Sequence, residues 1–320
     1  MGCRGCGVLL AAALVAGPAL AQTPGQGDSP FTMAGRVVLD TVHFPLLPYR
    51  THGLIDLNLR VAPGAGGLPD GVGLDFGLYH YRDNAIPYSG TAAFAALSFD
   101  LGPGRLAVGA PRIAADGLRR APLPGGMEAG LHTVHITVGG LPMATLIQSG
   151  DGAPFWGLRY DTASGPFDWS VSATRSSGPS ASPNLAVGLS GALGPVRVYA
   201  SGEAFRDGAG WGSTMVLGGQ LPLGPEGQAG SMTLGAEYAR IGSGGFAFQS
   251  IIGYGTFTLS QRLSVTASVL RIAGPVFASD TLAGVAVDYD LWNGVTLNTG
   301  AVRTASSPFT LYTVGLSRTF

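Results

Sequence analysis

Alternation of apolar and polar residues with a period of two, in stretches of about 9 to 11 residues, constrains this 320-residue chain more than any other feature. In GLIDLNLRV (53–61), four apolar side chains alternate with Asp56, Asn58 and Arg60. The same pattern occurs in FDWSVSATR (167–175) and in MTLGAEYAR (232–240). Successive side chains of a β-strand point to opposite faces, so each stretch predicts a strand with one apolar and one polar face.

The length of these stretches favours a strand that crosses a bilayer over a strand of a soluble sandwich. A tilted transmembrane strand needs about 9 to 11 residues, whereas strands of soluble proteins average about 5 to 6. Short connections such as GPG (102–104) and Asn293-Gly294 alternate strictly with long ones such as HFPLLPYRT (43–51), and the Asn-Gly dipeptide predicts a type I′ turn. This alternation is typical of outer-membrane barrels, with turns on the periplasmic side and loops outside. In lipid the sheet must close, because every backbone amide needs a partner.

Sixteen candidate strands can be counted, an even number as bacterial barrels require. They lie near 33–43, 52–62, 72–82, 91–101, 105–110, 155–161, 167–175, 184–193, 196–205, 213–222, 230–240, 249–259, 262–272, 282–291, 295–303 and 309–320. Two further stretches, HTVHITV (132–138) and MATLIQS (143–149), also alternate. If both belonged to the wall, the barrel would have eighteen strands.

The first residues predict export. Arg4 precedes an apolar stretch and Ala19-Leu20-Ala21, so residues 1–21 match a secretory signal peptide. This leaves a short extension at 22–30 and a barrel at 31–320. Both cysteines, Cys3 and Cys6, lie in the signal peptide, so disulfides and thiolate chemistry are not expected in the mature chain.

Composition and motifs argue against several other functions. All 18 basic residues are arginine and the formal net charge is −1, so the chain does not resemble a nucleic-acid-binding protein. His132 and His135 lack a convincing third ligand, and no metal or other cofactor is predicted. No serine lies in a nucleophile elbow, so an outer-membrane barrel enzyme is the weakest alternative.

Strand phase predicts which polar side chains face the lumen of the first three strands. They are Arg36, Asp40, His52, Asp56, Arg60, Asp75, Tyr79 and Tyr81. An arginine costs little in a water-filled lumen and about 2 to 4 kcal/mol against lipid at the bilayer midplane. The long connection at 111–154 carries Arg112, Arg119 and Arg120 together with Asp116, Glu128 and Asp151, so its formal charge is zero. The sign of any ion selectivity is therefore left open.

The last residues, YTVGLSRTF, resemble the terminal insertion signal of Gram-negative outer-membrane proteins. Thr313, Gly315 and the aromatic Phe320 have the expected spacing, and Arg318 departs from it because a second aromatic is common there. Three longer stretches resemble the general diffusion porins of alphaproteobacteria: AFAALSFDLGPGRLAVGAP (93–111), APFWGLRYDTASGPFDWSVSAT (153–174) and the chain from 282 to 320.

This resemblance implies a homotrimeric porin with sixteen strands, because it places FWGLRYD (155–161) directly after a loop that folds into the barrel. The connection 111–154 would then be that loop, and Asp116 and Glu128 would lie opposite the basic wall residues Arg36 and Arg60. Opposed charges across a narrow gap would orient dipolar solutes and filter ions. The expected function is passive diffusion of small hydrophilic solutes and ions through the outer membrane, in contact with its lipid. The main alternative is a barrel plugged by 111–154 that serves as a receptor, adhesin or membrane stabiliser.

Overall fold

Sixteen antiparallel strands form one closed barrel in the computed structural model. The structure describes residues 30–43, 49–84, 89–118, 121–126, 142–151, 155–177, 182–207, 210–244, 246–274 and 279–320. The strands are β1 (Phe31–His43), β2 (Arg50–Val61), β3 (Val72–Asp83), β4 (Ser89–Leu101), β5 (Gly104–Ala110), β6 (Phe155–Ser164), β7 (Phe167–Ser176), β8 (Pro183–Leu193), β9 (Val196–Asp207), β10 (Gly210–Leu223), β11 (Met232–Ser243), β12 (Phe246–Ser260), β13 (Leu263–Ala273), β14 (Asp280–Trp292), β15 (Val295–Thr304) and β16 (Thr310–Thr319). The predicted sixteen-strand barrel is confirmed.

Closure occurs between the first and the last strand. β1 pairs with β16 from Arg36 opposite Thr319 to His43 opposite Tyr312. The backbone N–H of Phe320 continues this pairing by donating to the carbonyl of Gly35 at 2.9 Å. The sheet therefore has no free edge that would expose unpaired amides to lipid.

The eighteen-strand alternative is wrong. MATLIQS (143–149) forms most of a helix, α1 (Met143–Asp151), rather than a wall strand. Its partner in that alternative, 132–138, lies outside the described residues, as do His132 and His135. The predicted signal peptide at 1–21 also lies outside them, as does the extension at 22–30 apart from Pro30.

The two ends of the barrel differ. We call the end where β1 begins and β16 ends the terminal end, and the opposite end, where the chain leaves β5, the loop end. The predicted strict alternation of short and long connections is wrong, because 62–71 at the terminal end is longer than 244–245 at the loop end. The reason is that several strands run further than their alternation indicates, and β12 already begins at Phe246. The predicted type I′ turn is present, since Asn293 and Gly294 have φ values of 47° and 74°.

The two faces of the sheet carry different side chains. Large apolar residues are exposed on the outer face, among them Leu97, Leu158, Leu185, Ile251, Val285 and Val314. Buried polar residues lie on the inner face, among them Asp40, His52, Glu203, Glu237, Ser268 and Thr313. This is the reverse of a soluble barrel, and it matches a wall that faces lipid outside and polar groups inside. Among the described residues, no helix is both long and apolar enough to cross a membrane.

Candidate pore constriction

The connection between β5 and β6 folds back inside the barrel. Its described parts are 111–118, 121–126 and 142–151, and they contact the inner wall at well separated strands. Helix α1 packs against β4, and Gln148 Nε2 donates to the carbonyl of Ala93 at 2.8 Å. The 3-10 turn Pro124–Gly126 contacts β13 to β16 on the other side. The connection therefore spans the lumen.

Arg112 attaches the start of this connection to the wall. Its Nη2 atom lies 2.7 Å from Oδ1 of Asp56 on β2, and its Nη1 atom lies 2.8 Å from Oδ2 of Asp116. Nη2 also donates to the carbonyl of Leu57 at 3.0 Å. The guanidinium stands 4.8 Å from the ring centroid of Phe94, which adds a cation–π contact. The side chain is only 10% exposed, so these contacts are weakly screened by water.

The wall leaves room for this guanidinium because β3 has a glycine beneath it. A Cβ atom on Gly77 would lie 2.7 Å from Nε of Arg112, so any side chain there would displace the arginine. Burial lowers the pKa of Arg112 and the Asp116 and Asp56 carboxylates raise it, with a net upward shift. Arg112 therefore remains a cation between two carboxylates.

Glu203 on β9 holds the helix of the connection. Its carboxylate accepts hydrogen bonds from the backbone N–H groups of Met143 and Ala144, both at 2.8 Å. Asn184 Nδ2 and Thr214 Oγ1 donate to the same carboxylate. The first N–H groups of a helix have no partner within the helix, and a negative charge there is favoured by the helix dipole. Glu203 thus caps α1 from the wall.

A second wall carboxylate and a pair of glycines hold the middle of the connection. Glu237 accepts hydrogen bonds from Tyr199 Oη at 2.7 Å and from the backbone N–H of Ala121 at 3.4 Å. Gly125 lies directly on the wall, where a Cβ atom would come within 2.6 Å of it from Gly284 and within 2.2 Å from Gly300. Bare backbone on both sides is what allows this close approach.

A cavity of about 410 Å³, with charged side chains in its lining, lies between the start of the connection and the wall. Three arginines and four aspartates line it: Arg60, Arg112, Arg159, Asp56, Asp75, Asp116 and Asp161. These side chains form pairs, since Arg60 Nε lies 3.2 Å from Asp75 and Arg159 Nε lies 2.8 Å from Asp161. Arg105 also pairs with Asp75, at 2.8 Å. The charges therefore alternate around the cavity instead of separating into a basic wall and an acidic loop.

The structure brings four of the sequence-predicted residues together at this cavity: Asp56, Arg60, Asp75 and Asp116. Arg36 lies opposite Asp56 in the register of β1 and β2, and so shares its face. Arg119, Arg120 and Glu128 lie outside the described residues.

The remaining predicted residues share the inner face but are buried away from the cavity. The ring of His52 lies between two carboxylates, with Nδ1 at 3.3 Å from Asp40 and Nε2 at 3.1 Å from Asp83. Tyr79 and Tyr81 belong to an apolar cluster against which Leu146 of α1 packs. His52 is 1% exposed, so this group contributes packing and hydrogen bonds rather than a water-filled surface.

The predicted closing residues occupy the seam between β16 and β1. Thr313 Oγ1 donates to the carbonyl of Gly125 on the inner face. Gly315 lies opposite Asp40, where a Cβ atom would meet that side chain at 2.8 Å. Phe320 lies at the terminal end, with the guanidinium of Arg318 at 4.8 Å from its ring centroid.

Sequence reasoning missed three residues that hold the connection in place. Sequence reasoning counts Arg112 only in the charge of the long connection and assigns no role to Glu203 or Glu237. One signal was available for the glutamates, because a carboxylate on the inner face of a strand needs a hydrogen-bond partner. The partners themselves come from a connection distant in sequence, so alternation could not reveal them.

Solved structures with the same architecture are outer-membrane barrels. A loop-deletion mutant of OmpT, an outer membrane protein of Vibrio cholerae, matches with a TM-score of 0.58 at 12% identity, covering 91% of this chain and 99% of that one. A mutant of the Rh. blastica porin matches with a TM-score of 0.56 at 13% identity, covering 91% of this chain and 100% of that one. The fold is porin-like. No protein-family model and no curated protein sequence matches the chain.

The likeness in fold agrees with the surface of the barrel. A closed sheet with an exposed apolar outer face and a polar interior is stable only where lipid covers the outside. The chain is therefore an outer-membrane β-barrel. At 12% and 13% identity the likeness shows the fold alone.

Proposed function

We propose that this protein is a porin through which small hydrophilic solutes and ions diffuse passively across the outer membrane. The observation that carries this proposal is the cavity of about 410 Å³ lined by seven charged side chains beside the folded-in connection. Water and ions are stabilised by such a lining, whereas an interior filled only by packed apolar side chains would exclude them. The function involves no chemical step.

In this proposal the connection 111–154 is the constriction, and the predicted lining residues act through it. Arg36, Arg60, Asp56, Asp75 and Asp116 would set the local field near the described cavity, with Arg119, Arg120 and Glu128 contributing from the same connection. Because the arginines and aspartates of the cavity are paired, we expect weak ion selectivity for the unmodified protein. Residues 1–21 would direct export and be removed.

Planar-bilayer recording of the purified, folded protein tests the proposal. A porin should give stable stepwise conductance in simple salt. We also propose a homotrimer, from the resemblance to general porins, and three equal closures for each insertion event would support it. If barrels of normal heat-modifiable mobility insert and conduct nothing, the channel proposal fails.

The plugged-barrel alternative is favoured by one observation, the number of attachments of the connection. Arg112, Glu203, Glu237 and Thr313 hold it to strands distributed around the wall. A barrel closed in this way would serve as a receptor, adhesin or membrane stabiliser. Insertion without conductance, followed by conductance after the attachments are removed, would support that alternative.

The buried histidine does not support the enzyme alternative. Asp40, His52 and Asp83 place an imidazole between carboxylates, an arrangement that can position a general base. A general base has to reach its substrate, either directly or through one water. With His52 at 1% exposure, a substrate in the lumen does not reach this ring.

A further inference from the structure

Six arginines lie on the outer, lipid-facing side of the barrel, each within the last four residues of its strand at the loop end. They are Arg82 on β3, Arg175 on β7, Arg206 on β9, Arg240 on β11, Arg271 on β13 and Arg303 on β15. We call this set the arginine rim. Five of the six are exposed, and Arg82 is half-buried.

The register of the strands places these side chains on the outer face. Arg175 lies opposite Trp156 and Arg206 opposite Trp211, and these tryptophans are 59% and 62% exposed. Arg271 lies opposite Ile251, another exposed residue.

The outward position of the other three arginines follows from the alternation of side chains along their strands. Arg240 is two residues from Tyr238, which is opposite Ile251, and Arg82 is four residues from the exposed Leu78. Arg303 is opposite Ala283, which is two residues from the exposed Val285.

The charged residues on the outer face of the described strands are arginines. The acidic side chains that the structure describes in the strands lie on the inner face, where several pair with arginines of the wall or of the connection. Within the described part of the chain, none of the six rim arginines forms an ion pair with a carboxylate. At the terminal end the outer face presents apolar residues such as Leu101, Leu193 and Leu223, and Arg318, which shares the outward phase of Val314 there, is buried.

A rim of arginines that have no carboxylate partner in the described part of the chain has an energetic cost that an anionic partner would remove. Five of the six lie on alternate strands from β7 to β15, and alternate strands are about 10 Å apart. Like charges at that distance are within about one Debye length at physiological salt and repel each other. Near the membrane interface an arginine is tolerated, and its guanidinium can reach the headgroups and bind a phosphate or carboxylate bidentately.

We propose that the arginine rim binds the anionic headgroups of lipid in the leaflet at the loop end, which is the outer leaflet when the long connection faces outside. The ligand chemistry is phosphate or carboxylate carried on a lipid, with the exposed Trp156 and Trp211 packing beside it at the interface. This inference depends on the position of the barrel in the membrane and not on conduction, so it can fail or succeed independently of the proposed channel.

Native mass spectrometry of the detergent-solubilised protein with lipid A carrying two phosphates tests this inference. The rim variant is Arg240→Gln with Arg271→Gln, and the matched control is Arg197→Gln with Arg262→Gln, which removes the same charge at the terminal end. Each basic side chain near an anionic lipid contributes about 1 kcal/mol, so we expect the rim variant to bind lipid A about thirtyfold more weakly. The control should bind like the unmodified protein.

Three further arms make the result decisive. Dephosphorylated lipid A should bind weakly to every variant. About 1 M salt should release lipid A from the unmodified protein, and this test does not depend on the folding of any variant. Inorganic phosphate at matched concentration should not displace lipid A. Equal binding by the rim and control variants would overturn the inference, and full displacement by inorganic phosphate would reduce the rim to a simple anion site.

Discussion

Nη2 of Arg112 lies 2.7 Å from Oδ1 of Asp56, so the long connection is tied to the wall by its own arginine and a wall carboxylate. The sequence suggests the opposite arrangement, with acidic loop residues facing wall arginines. Here the wall arginines Arg60 and Arg105 both pair with Asp75. Asp116 in turn is occupied by Arg112.

Removing either charge of the ion pair between Arg112 and Asp56 should change the ion selectivity of the channel. Arg112→Gln leaves Asp56 and Asp116 without their cation, so the cavity gains net negative charge and we expect the reversal potential in a salt gradient to shift toward cation selectivity. Asp56→Asn should shift it toward anions, because Arg112 then has only Asp116. Both shifts should fade at about 1 M salt, where the screening length is roughly 3 Å.

The control for this pair is Arg262→Gln in the turn between β12 and β13, which removes one charge far from the cavity. It should leave the reversal potential unchanged. If Arg112→Gln also leaves it unchanged, ions do not pass by the Arg112 cavity and the constriction lies elsewhere.

Removing the cap of α1 should loosen the connection without harming the barrel. Glu203→Ala leaves the N–H groups of Met143 and Ala144 unsatisfied, at about 1 to 3 kcal/mol for each buried group. We expect more frequent closures and larger open-channel noise, and faster limited proteolysis within the connection. Glu203→Gln should have a smaller effect because one acceptor oxygen remains.

Glu226→Ala provides the matched control, since this glutamate forms an exposed pair with Arg197 at the terminal end. An exposed pair contributes little, so noise and proteolysis should match the unmodified protein. Glu203→Ala behaving like Glu226→Ala would mean that the cap does not hold α1.

The sequence predicts those features of the barrel that depend on neighbouring residues within one strand, and it does not predict contacts between segments that are distant along the chain. The positions of the strands and their two faces follow from alternation, whereas the preference for sixteen strands over eighteen comes from the resemblance to general porins. The inner face of β1 to β3 is where Arg36, Asp56, Arg60 and Asp75 lie. Alternation is misleading at 143–149, which forms most of α1, a helix whose N-terminus is capped by Glu203.

Contacts across the lumen were beyond prediction for a related reason. Gly284 and Gly300 are inner-face glycines of strands, which weaken a strand and often mark a close backbone approach. That signal was available, but the approaching segment, Gly125, lies far away along the chain. Alternation predicts on which face of the sheet a residue lies, but it does not predict which distant residue it contacts.

Adding a side chain at Gly300, where the backbone of Gly125 lies against the wall, should displace the connection. A Cβ atom on Gly300 would lie 2.2 Å from the carbonyl oxygen of Gly125, so Gly300→Ala forces the turn off the wall. Overpacking of this kind costs about 1 to 3 kcal/mol. We expect altered conductance with normal barrel assembly. Gly253→Ala is the control, because a Cβ atom there meets nothing within 4 Å. Equal conductance in both variants would show that the contact between Gly125 and Gly300 does not hold the connection in place.

The last prediction concerns the contact between Arg318 and Phe320 at the closing seam. Arg318 replaces the second aromatic expected of the insertion signal, and its guanidinium lies 4.8 Å from the centroid of the Phe320 ring. Such a contact contributes about 0.5 to 2 kcal/mol, so the pair can anchor the end of β16 as two aromatics would. Phe320→Asp should therefore reduce the amount of heat-modifiable barrel in the outer membrane.

A double-mutant cycle separates the contact from the ring alone. Phe320→Leu and Arg318→Gln should each lower the urea midpoint of unfolding in lipid, and the double variant should lose less than the sum of the two, because only one contact is removed. Additive losses would show that the ring and the guanidinium act independently. Undiminished assembly of Phe320→Asp would show that closure between β16 and β1 does not need an aromatic at Phe320.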